Sequence, residues 1–452
     1  MTKSCEATAS GVQVAPPGKS QSIKHRIRRA HPVRLAMART LAELDHAGAT
    51  EIRRFQERRL RGLVRLAATR SPFYRAWFRD NGIDARSIRH IEDLDRLPLL
   101  ERRHLAEHPH DFLTYPRRLA WGSSSSGTSG TPVTAYRTPG ASIYELAVLE
   151  RQWSWFGLPR GARRAILRGS DFAADRPGEV TMEVPGGRQL LISSFHLTNT
   201  NLPKILEGLR AFRPDAIEGW PSSIALLAAL LRDAGMQFPV RAIITSSEVM
   251  SPAQQTLMRS VFVGPVVDHY GQTERVAMAG GCEAGGYHIF PDYGIVELIP
   301  VDGRSDRFEI VGTPLHNWGF PLFRYRTGDE VGPAADGPCG CGRAFPLLGP
   351  IDGRAEDAFT AADGRPIPLP ATIVDDLTGL QETQIVQRAP GVFEVRMVPG
   401  VGFDRAASEA LARENVNRLV GPGQTVTFVQ MDRIPRSASG KLRPAIVVND
   451  LA

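Results

Sequence analysis

A chain of 452 residues that is 42% hydrophobic and 23% charged carries enough apolar material for a sizeable buried core, which excludes a disordered polymer. No apolar run reaches the ~18–20 residues needed to cross a bilayer, the best being Ile224 to Leu231, and the polar first twenty residues lack the apolar stretch of a secretory signal. The net charge of +7 is concentrated in Lys24, His25, Arg26, Arg28, Arg29 and Arg53 to Arg61, but no zinc-finger, RNP or helix-turn-helix pattern accompanies it.

That charge is therefore read as a solvated helix face, and no nucleic-acid or membrane partner is expected. Four cysteines are too few for a disulfide framework, so a cytoplasmic protein is predicted. The oligomeric state is open, and a dimer is compatible with it.

Residues 1–20 read as a flexible tail. Apolar residues at three- and four-residue spacing then predict covering helices through Leu41 and Leu44 and through Phe55, Leu60, Leu63 and Leu66. Next comes Gly122-Ser-Ser-Ser-Ser-Gly-Thr-Ser-Gly-Thr-Pro132, whose small residues leave backbone amides and hydroxyls free to surround an anion. Ser123, Ser124, Ser125, Ser126, Gly127, Thr128, Ser129, Gly130 and Thr131 are read as a phosphate loop, with a plain Ser/Gly linker as the alternative. Thr128 stands where the P-loop pattern requires lysine, which argues against a P-loop NTPase.

Short apolar strands follow at Arg164 to Leu167, Ala216 to Glu218, Ala242 to Ile244 and Val266 to Asp268. Helical patterns at Ile205 to Phe212 and Ile224 to Leu231, the latter amphipathic, lie between them. Alternation of this kind implies a mixed or parallel α/β core. From Gly294 the texture becomes antiparallel, through Val296 to Leu298 and Phe308 to Val311. A boundary is expected near Gly353 to Asp357. Beyond it lie strands at Thr383 to Gln387, Val392 to Val398 and Val426 to Gln430, and a helix at Asp404 to Leu419. The predicted architecture is α/β: a large N-terminal domain over 21–353, with mixed sheets flanked by helices and a β-rich subdomain, and a small α+β domain over 354–452.

Cys282, His288, Cys339 and Cys341, spaced Cys-x5-His and Cys-x-Cys among glycines, offer three sulfurs and one imidazole. Such a set suits tetrahedral, structural Zn2+ with no open position; the alternative is reduced, unliganded thiols with His288 as a satisfied polar residue.

Asp268-His-Tyr-Gly-Gln-Thr-Glu274, Tyr325-Arg-Thr-Gly-Asp329, Gly353-Arg354 and Pro435-Arg-Ser-Ala-Ser-Gly-Lys-Leu-Arg443 follow the serine-glycine loop in that order. Together these segments resemble the ANL superfamily of adenylate-forming enzymes over roughly residues 70 to 445. Ser71-Pro-Phe-Tyr-Arg75, Trp220-Pro-Ser-Ser223 and Thr245-Ser-Ser-Glu248 are similar to its phenylacetate–CoA ligase and capsule-biosynthesis (CapK-like) branch.

The resemblance implies an ATP-dependent, AMP-forming ligase that adenylates a carboxylic acid, an aromatic one as first guess, and passes the acyl group to a thiol such as CoA. It also implies the roles. Ser123 to Thr131 would hold the departing phosphates; Ser247, Glu248, Asp268, Tyr270 and Gly271 would line the adenine. Thr273 would touch the α-phosphate and Glu274 would bind Mg2+. Asp329 would accept the ribose hydroxyls with Arg354 assisting, and Glu356 and Asp357 would form the hinge. Lys441 would neutralise the charge that develops between carboxylate and α-phosphate. Phe195, His196, Trp220, Ala279, Gly280 and Gly281 would border the acyl pocket, the glycines leaving room for a ring. Relatives of this branch also place zinc on residues like the four of the Cys/His set.

Two features depart from the pattern. Thr131 replaces a lysine that many relatives carry, and the pantetheine-facing glycine segment is not recognisable in Ala358 to Pro368. A carrier protein, an amine or an unusual acid therefore stays open as partner, as does a nucleotide-binding regulator without turnover, which the joint presence of Glu274, Asp329 and Lys441 opposes.

Overall fold

The computed structural model describes residues 32–124, 133–169, 178–354, 359–361, 366–367, 370–437 and 441–448. The tail read over 1–20, the loop residues Ser125 to Thr131 and the hinge pair Glu356 and Asp357 lie outside the described residues.

Two helices, α1 (Pro32–Leu44) and α2 (Ala49–Arg70), open the fold. In α2 the buried stripe is Ile52, Phe55, Leu60, Leu63, Val64 and Ala67, the face that its apolar spacing demands. Helix α3 (Pro72–Asp80) follows at once because Ser71 caps it, its hydroxyl accepting from Tyr74 N at 3.3 Å, and Pro72 fits the first turn. The short α4 (Arg102–Glu107) leads to a hairpin of β1 (Trp121–Ser124) and β2 (Thr134–Arg137), which flanks the serine-glycine segment. Helix α5 (Pro139–Trp155), capped by Thr138, then crosses to the central sheet.

The central sheet is built from β3 (Arg164–Arg168), β4 (Thr181–Glu183), β5 (Gln189–Ser193), β6 (Ala216–Gly219), β7 (Ala242–Ser246), β8 (Val266–Gly271), β9 (Met278–Gly281) and β10 (Tyr287–Ile289). Their order across the sheet is β10-β9-β8-β7-β6-β3-β5-β4, with β5, β3, β6, β7 and β8 parallel and the outer strands antiparallel. Helices α6 (Leu202–Phe212), α7 (Pro221–Asp233) and α8 (Pro252–Phe262) are the crossovers. All four strands and both helices expected here exist, each a residue or more longer than its apolar run. One reading changes: α7 is not amphipathic, since every residue from Pro221 to Leu231 is buried. Sheet and neighbouring helices cover one side, and the C-terminal domain covers the other, where Gln381 Nε2 donates to Asp233 Oδ2 at 3.0 Å.

Strands β11 (Gly294–Val301), β12 (Arg304–Pro314), β13 (Tyr325–Val331) and β14 (Ile351–Arg354) form the antiparallel sheet. After the pair β15 (Phe359–Thr360) and β16 (Pro366–Ile367) comes the small α+β unit. It comprises β17 (Leu380–Ala389), β18 (Val392–Pro399), α9 (Arg405–Leu419), β19 (Thr425–Gln430) and β20 (Ala445–Val447), in the order β19-β18-β17-β20. Its own core includes Phe359, Ile385, Phe393, Val395, Met397, Ala412 and Val416.

Asp375 ties this unit to the N-terminus of α8 by a hydrogen bond with Ser251. Burial, then the neighbouring Asp376, pushes its carboxyl up from 3.8 to about 7. Between those values the unfolded chain is ionised at this position while the folded chain keeps its proton, so stability falls as pH rises through that window and the cost is complete above it. Asp375→Asn is expected to raise the melting temperature by several degrees at pH 8 and to leave it unchanged at pH 4, measured by thermal scanning.

Candidate active site

The parallel strands deliver the site residues at their carboxyl ends, where ligands bind in open α/β sheets. Strand β7 ends in Ser246, and Ser247 then takes a left-handed backbone (φ 70°), a conformation a non-glycine residue adopts only under constraint. That twist sets Glu248 toward α7. Its Oε2 accepts from Ser222 N at 3.0 Å, at the helix N-terminus, where an anion is favoured. Oε1 is buried without a hydrogen-bond partner, and burial holds the carboxyl above its usual range. An acceptor left open in this way suits a donor such as an exocyclic amine.

On β8, Asp268 and Tyr270 point to one face and His269 to the other. Asp268 accepts from Thr245 Oγ1 at 2.6 Å and from Tyr287 Oη at 2.9 Å, and burial raises its carboxyl. Tyr270 Oη donates to Asp329 Oδ2 at 2.6 Å and accepts from Gln272 Nε2 at 3.2 Å. Burial, with the charge of Asp329 beside it, holds the phenol well above its usual value, so Tyr270 stays neutral.

Asp329 sits where β13 bulges against β12. Its amide donates to Thr327 Oγ1 at 3.0 Å, and Gly328 supplies the left-handed turn (φ 73°) that re-aims the strand. The backbones of Asp329 and Arg354 are direct register partners across β13 and β14.

After Gly271 the chain turns through Thr273 and Glu274, closed by Arg275 N donating to Gln272 O at 3.1 Å. Glu274 is only 3% exposed; Tyr325 Oη donates to its Oε1 at 3.1 Å and Arg102 Nη1 stands 3.9 Å away. A carboxylate held by a fixed phenol and a guanidinium is a rigid anion at the floor of the turn, a fit for Mg2+ carried on phosphate oxygens.

Lys441 reaches these elements from the other domain. Its Nζ donates to Ser247 O at 3.0 Å and lies 5.4 Å from the centroid of the Trp220 ring, a cation–π distance. The loop that carries it is pinned by Lys441 N donating to Ser437 Oγ at 3.1 Å and by Ser437 N donating to Lys441 O at 2.9 Å. The structure thus brings together Lys441, Trp220, Ser247 and Glu248 in one cluster and Asp268, Tyr270 and Asp329 in another, one residue along the strands. Of the serine-glycine loop, Ser123 and Ser124 are described: they end β1, and Ser124 shares a hydrogen bond with Thr134 at 3.0 Å.

Phe195 and His196 form a single turn after β5, with His196 Nδ1 2.9 Å from Ser193 Oγ. Ala279, Gly280 and Gly281 lie on β9 beside β8. The space beside Gly280 is filled by Gln152 of α5, whose Nε2 donates to Asp268 O at 2.8 Å and to Gly281 O at 3.1 Å. This glycine is required by helix packing and opens no room for a ring.

The four residues Cys282, His288, Cys339 and Cys341 converge, their ligand atoms all within 4.8 Å of one another. Cys282 Sγ is 3.6 Å from Cys339 Sγ, and Cys341 Sγ is 3.3 Å from His288 Nε2. Gly286 passes so close that a Cβ there would collide with Cys339 Sγ and crowd His288 Nε2. Burial pushes the Cys282 thiol up to about 11, whereas the Cys341 amide lowers that of Cys339.

Sequence reasoning missed Thr245, Tyr287, Gln272, Tyr325, Arg102 and Gln152. Thr245, Gln272 and Tyr325 lie inside the quoted segments Thr245 to Glu248, Asp268 to Glu274 and Tyr325 to Asp329 but were given no role there, whereas Tyr287, Arg102 and Gln152 belong to no motif.

Residues 369–450 match the CapK C-terminal domain family. Over 89% of its length the chain is 26% identical to a phenylacetate-coenzyme A ligase of Thermus thermophilus, covering 97% of that protein. Over 58% of its length it is 20% identical to protein CapK of Staphylococcus aureus, covering 58% of that protein. In three dimensions it resembles a 2-hydroxyisobutyryl-CoA ligase solved in the postadenylation state with R3-HIB-AMP: TM-score 0.70, 20% identity, 96% of this chain and 94% of the other. These matches bear out the resemblance read from the sequence, and the mixed α/β fold is that of the adenylate-forming ligases.

Proposed function

We propose that this relative of phenylacetate–CoA ligases and CapK is an ATP-dependent, AMP-forming ligase that adenylates a carboxylic acid and transfers the acyl group to the thiol of CoA. The observation that carries the reading is the convergence of Lys441 from the small domain on Ser247, Glu248 and Trp220 of the large one, beside the Tyr270–Asp329 pair. Segments 194 residues apart in sequence (Ser247 and Lys441) and more (Trp220 and Lys441) meet there, and no structural need of the core explains a lysine at that junction.

In this reading the nucleotide lies across the ends of β7 and β8. The adenine amine donates to Glu248 Oε1, the ribose hydroxyls donate to Asp329, and Tyr270 and Gln272 hold that carboxylate in place. Thr273 touches the α-phosphate, the serine-glycine loop from Ser123 to Thr131 receives the departing pyrophosphate, and Arg354 assists at the ribose. Mg2+ supplies charge neutralisation on the phosphate oxygens, with Glu274 as its protein ligand. The acid's carboxylate attacks the α-phosphorus in line, and the Lys441 ammonium offsets the repulsion between the two anions as the bond forms. Glu356 and Asp357 form the hinge that lets the small domain rotate before thioester formation.

Structural Zn2+ held by Cys282, His288, Cys339 and Cys341 belongs to the same proposal, as does a cytoplasmic location. The acceptor is the less specific part: CoA is favoured by the named activity of the relatives, while a carrier protein or amine follows from the missing glycine segment after Arg354.

Pyrophosphate release from ATP, measured with a panel of carboxylic acids, tests the reading. Turnover with at least one acid, and acid-dependent exchange of labelled pyrophosphate into ATP, is expected. Neither signal with any acid, in a protein that binds ATP, would favour a regulator without turnover.

A further inference from the structure

Helix α7 meets the small domain at both of its ends. Its N-cap is Trp220, with Lys441 Nζ 5.4 Å from the ring centroid. Its last residue is Asp233, whose Oδ2 accepts from Gln381 Nε2 at 3.0 Å and from the Val401 amide at 3.4 Å, both in the small domain. The helix has 13 residues, and at ~1.5 Å each they set the two contacts roughly 20 Å apart. Every residue from Pro221 to Leu231 is buried, so the helix is a fixed bar between them.

Three features set the Asp233 contact apart from ordinary surface pairing. The Asp233 side chain is only 6% exposed, and Gly400 passes so near that a Cβ there would lie 2.9 Å from Asp233 Oδ2. Second, an anion at a helix C-terminus opposes the helix dipole, so α7 draws no stability from a carboxylate there; Arg232, donating to Oδ1 at 2.8 and 3.0 Å, offsets part of the charge. Third, the pairing of β17 with β18 slips between Leu380, opposite Pro399, and Glu382, opposite Val398. The bulge takes Gln381 out of the ladder and frees it to reach the large domain. Beside the contact the interface is open, with a cleft of about 510 Å3 lined in part by Leu202, Ala234, Pro399 and Val401. Hydrogen bonds to one carboxylate, with little apolar packing, therefore hold this end of the small domain.

A short path links this contact to Lys441. Glu382, next to Gln381, is buried; its Oε2 accepts from the Ile434 amide at 3.1 Å, and its Oε1 is bonded to Arg436. Ser437, the following residue, pins the loop of Lys441. Lys441 to Ser247 and Asp375 to Ser251 also tie the domains, at points four residues apart on the large one. Contacts so close together form a pivot and resist no rotation about it, whereas a contact roughly 20 Å away along α7 does. We propose, on the premise of the ligase reading, that Asp233 is a positioning residue for adenylation. By clasping Gln381 and Val401 it fixes the rotation of the small domain that sets Lys441 against Trp220 and Ser247, and the clasp opens when that domain turns for acyl transfer.

Asp233→Ala and Asp233→Asn, made in the full chain, test this, with acid-dependent pyrophosphate exchange reporting adenylation and a synthetic acyl adenylate with CoA reporting transfer. Asp233→Ala is expected to lower the adenylation rate at least tenfold, mainly through kcat, and to leave transfer unchanged or faster. Asp233→Asn keeps an acceptor oxygen and should recover part of the loss. In a Lys441→Ala background, Asp233→Ala should cost no more than a further twofold, because it acts through the lysine. An unchanged adenylation rate, equal losses in both half-reactions, or losses that multiply with that of Lys441→Ala overturn the proposal while the ligase reading stands. If no acid supports exchange of pyrophosphate, the ligase reading fails, and amide hydrogen exchange still decides. Faster exchange of the segment carrying Ser437 and Lys441 in Asp233→Ala supports the clasp, and a change confined to the neighbourhood of Val401 removes it. Should Asp233→Ala fail to fold, Gln381→Ala removes the donor from the other side, and the same outcomes apply.

Discussion

Replacing Lys441 by alanine should lower the rate of adenylation by a factor of ~10²–10³, the usual loss when one preorganised charge-stabilising donor is removed from a reacting oxyanion. The size follows from what the group does. Its ammonium is held against Ser247 O at 3.0 Å and over Trp220, so it arrives at the proposed nucleotide segment already oriented and needs little reorganisation when charge develops. Lys441→Arg should not rescue, because a planar fork cannot take the place of a compact point charge in a loop fixed by Ser437. The melting temperature should change little, since the Lys441 ammonium meets a backbone carbonyl and one face of the Trp220 ring and fills no core volume. Acyl transfer from a synthetic acyl adenylate to the acceptor should persist, as that step no longer sets two anions against each other. Full pyrophosphate release by the alanine variant would remove Lys441 from the mechanism, and loss of both half-reactions together would assign it to domain docking instead.

The strands and crossovers were legible because each is a short apolar run bounded by turn residues, whereas the helix starts at Ser71-Pro72 and Ser251-Pro252, capped by chemistry that works locally, were not read as such. Helix α7 misled because periodicity records the polar face a helix lacks only when that face meets water; here it meets the C-terminal domain. Gly280 misled for a related reason. A glycine marks space that something fills, and only the fold says whether Gln152 or a ligand fills it. The residues proposed for the nucleotide were readable because their motifs are contiguous, whereas Tyr287 and Arg102 act across 19 and 172 positions and leave no local trace. Asp233 and Gln381 were invisible as a pair, since 148 positions separate them.

Replacing Cys282 by serine should empty the Cys/His cluster of metal and lower the melting temperature by more than ~5 °C, the cost expected when a structural ligand set is broken in a folded domain. The geometry favours a metal over a disulfide. Sulfurs 3.6 Å apart are far beyond the ~2.05 Å of an S–S bond, yet tetrahedral bonds to zinc of ~2.3 Å for sulfur and ~2.0–2.1 Å for nitrogen give edges of roughly 3.5–3.8 Å. His288 Nδ1 lies 3.0 Å from Phe345 O, so that nitrogen carries the proton and Nε2 is left as the ligand atom. The ion would clamp the β9–β10 turn to the segment carrying Cys339 and Cys341, and Tyr287, next to His288 in the chain, donates to Asp268, one of the residues proposed for the nucleotide. Loss of metal should therefore raise KM for ATP more than it lowers kcat. Elemental analysis should find about one zinc per chain in the native protein and none in the variant, and should Cys282→Ser fail to fold, chelation of the native protein must produce the same fall in melting temperature. Native protein that carries no zinc after expression in zinc-supplemented medium, and that is indifferent to chelator, would show the four residues to be ordinary reduced side chains.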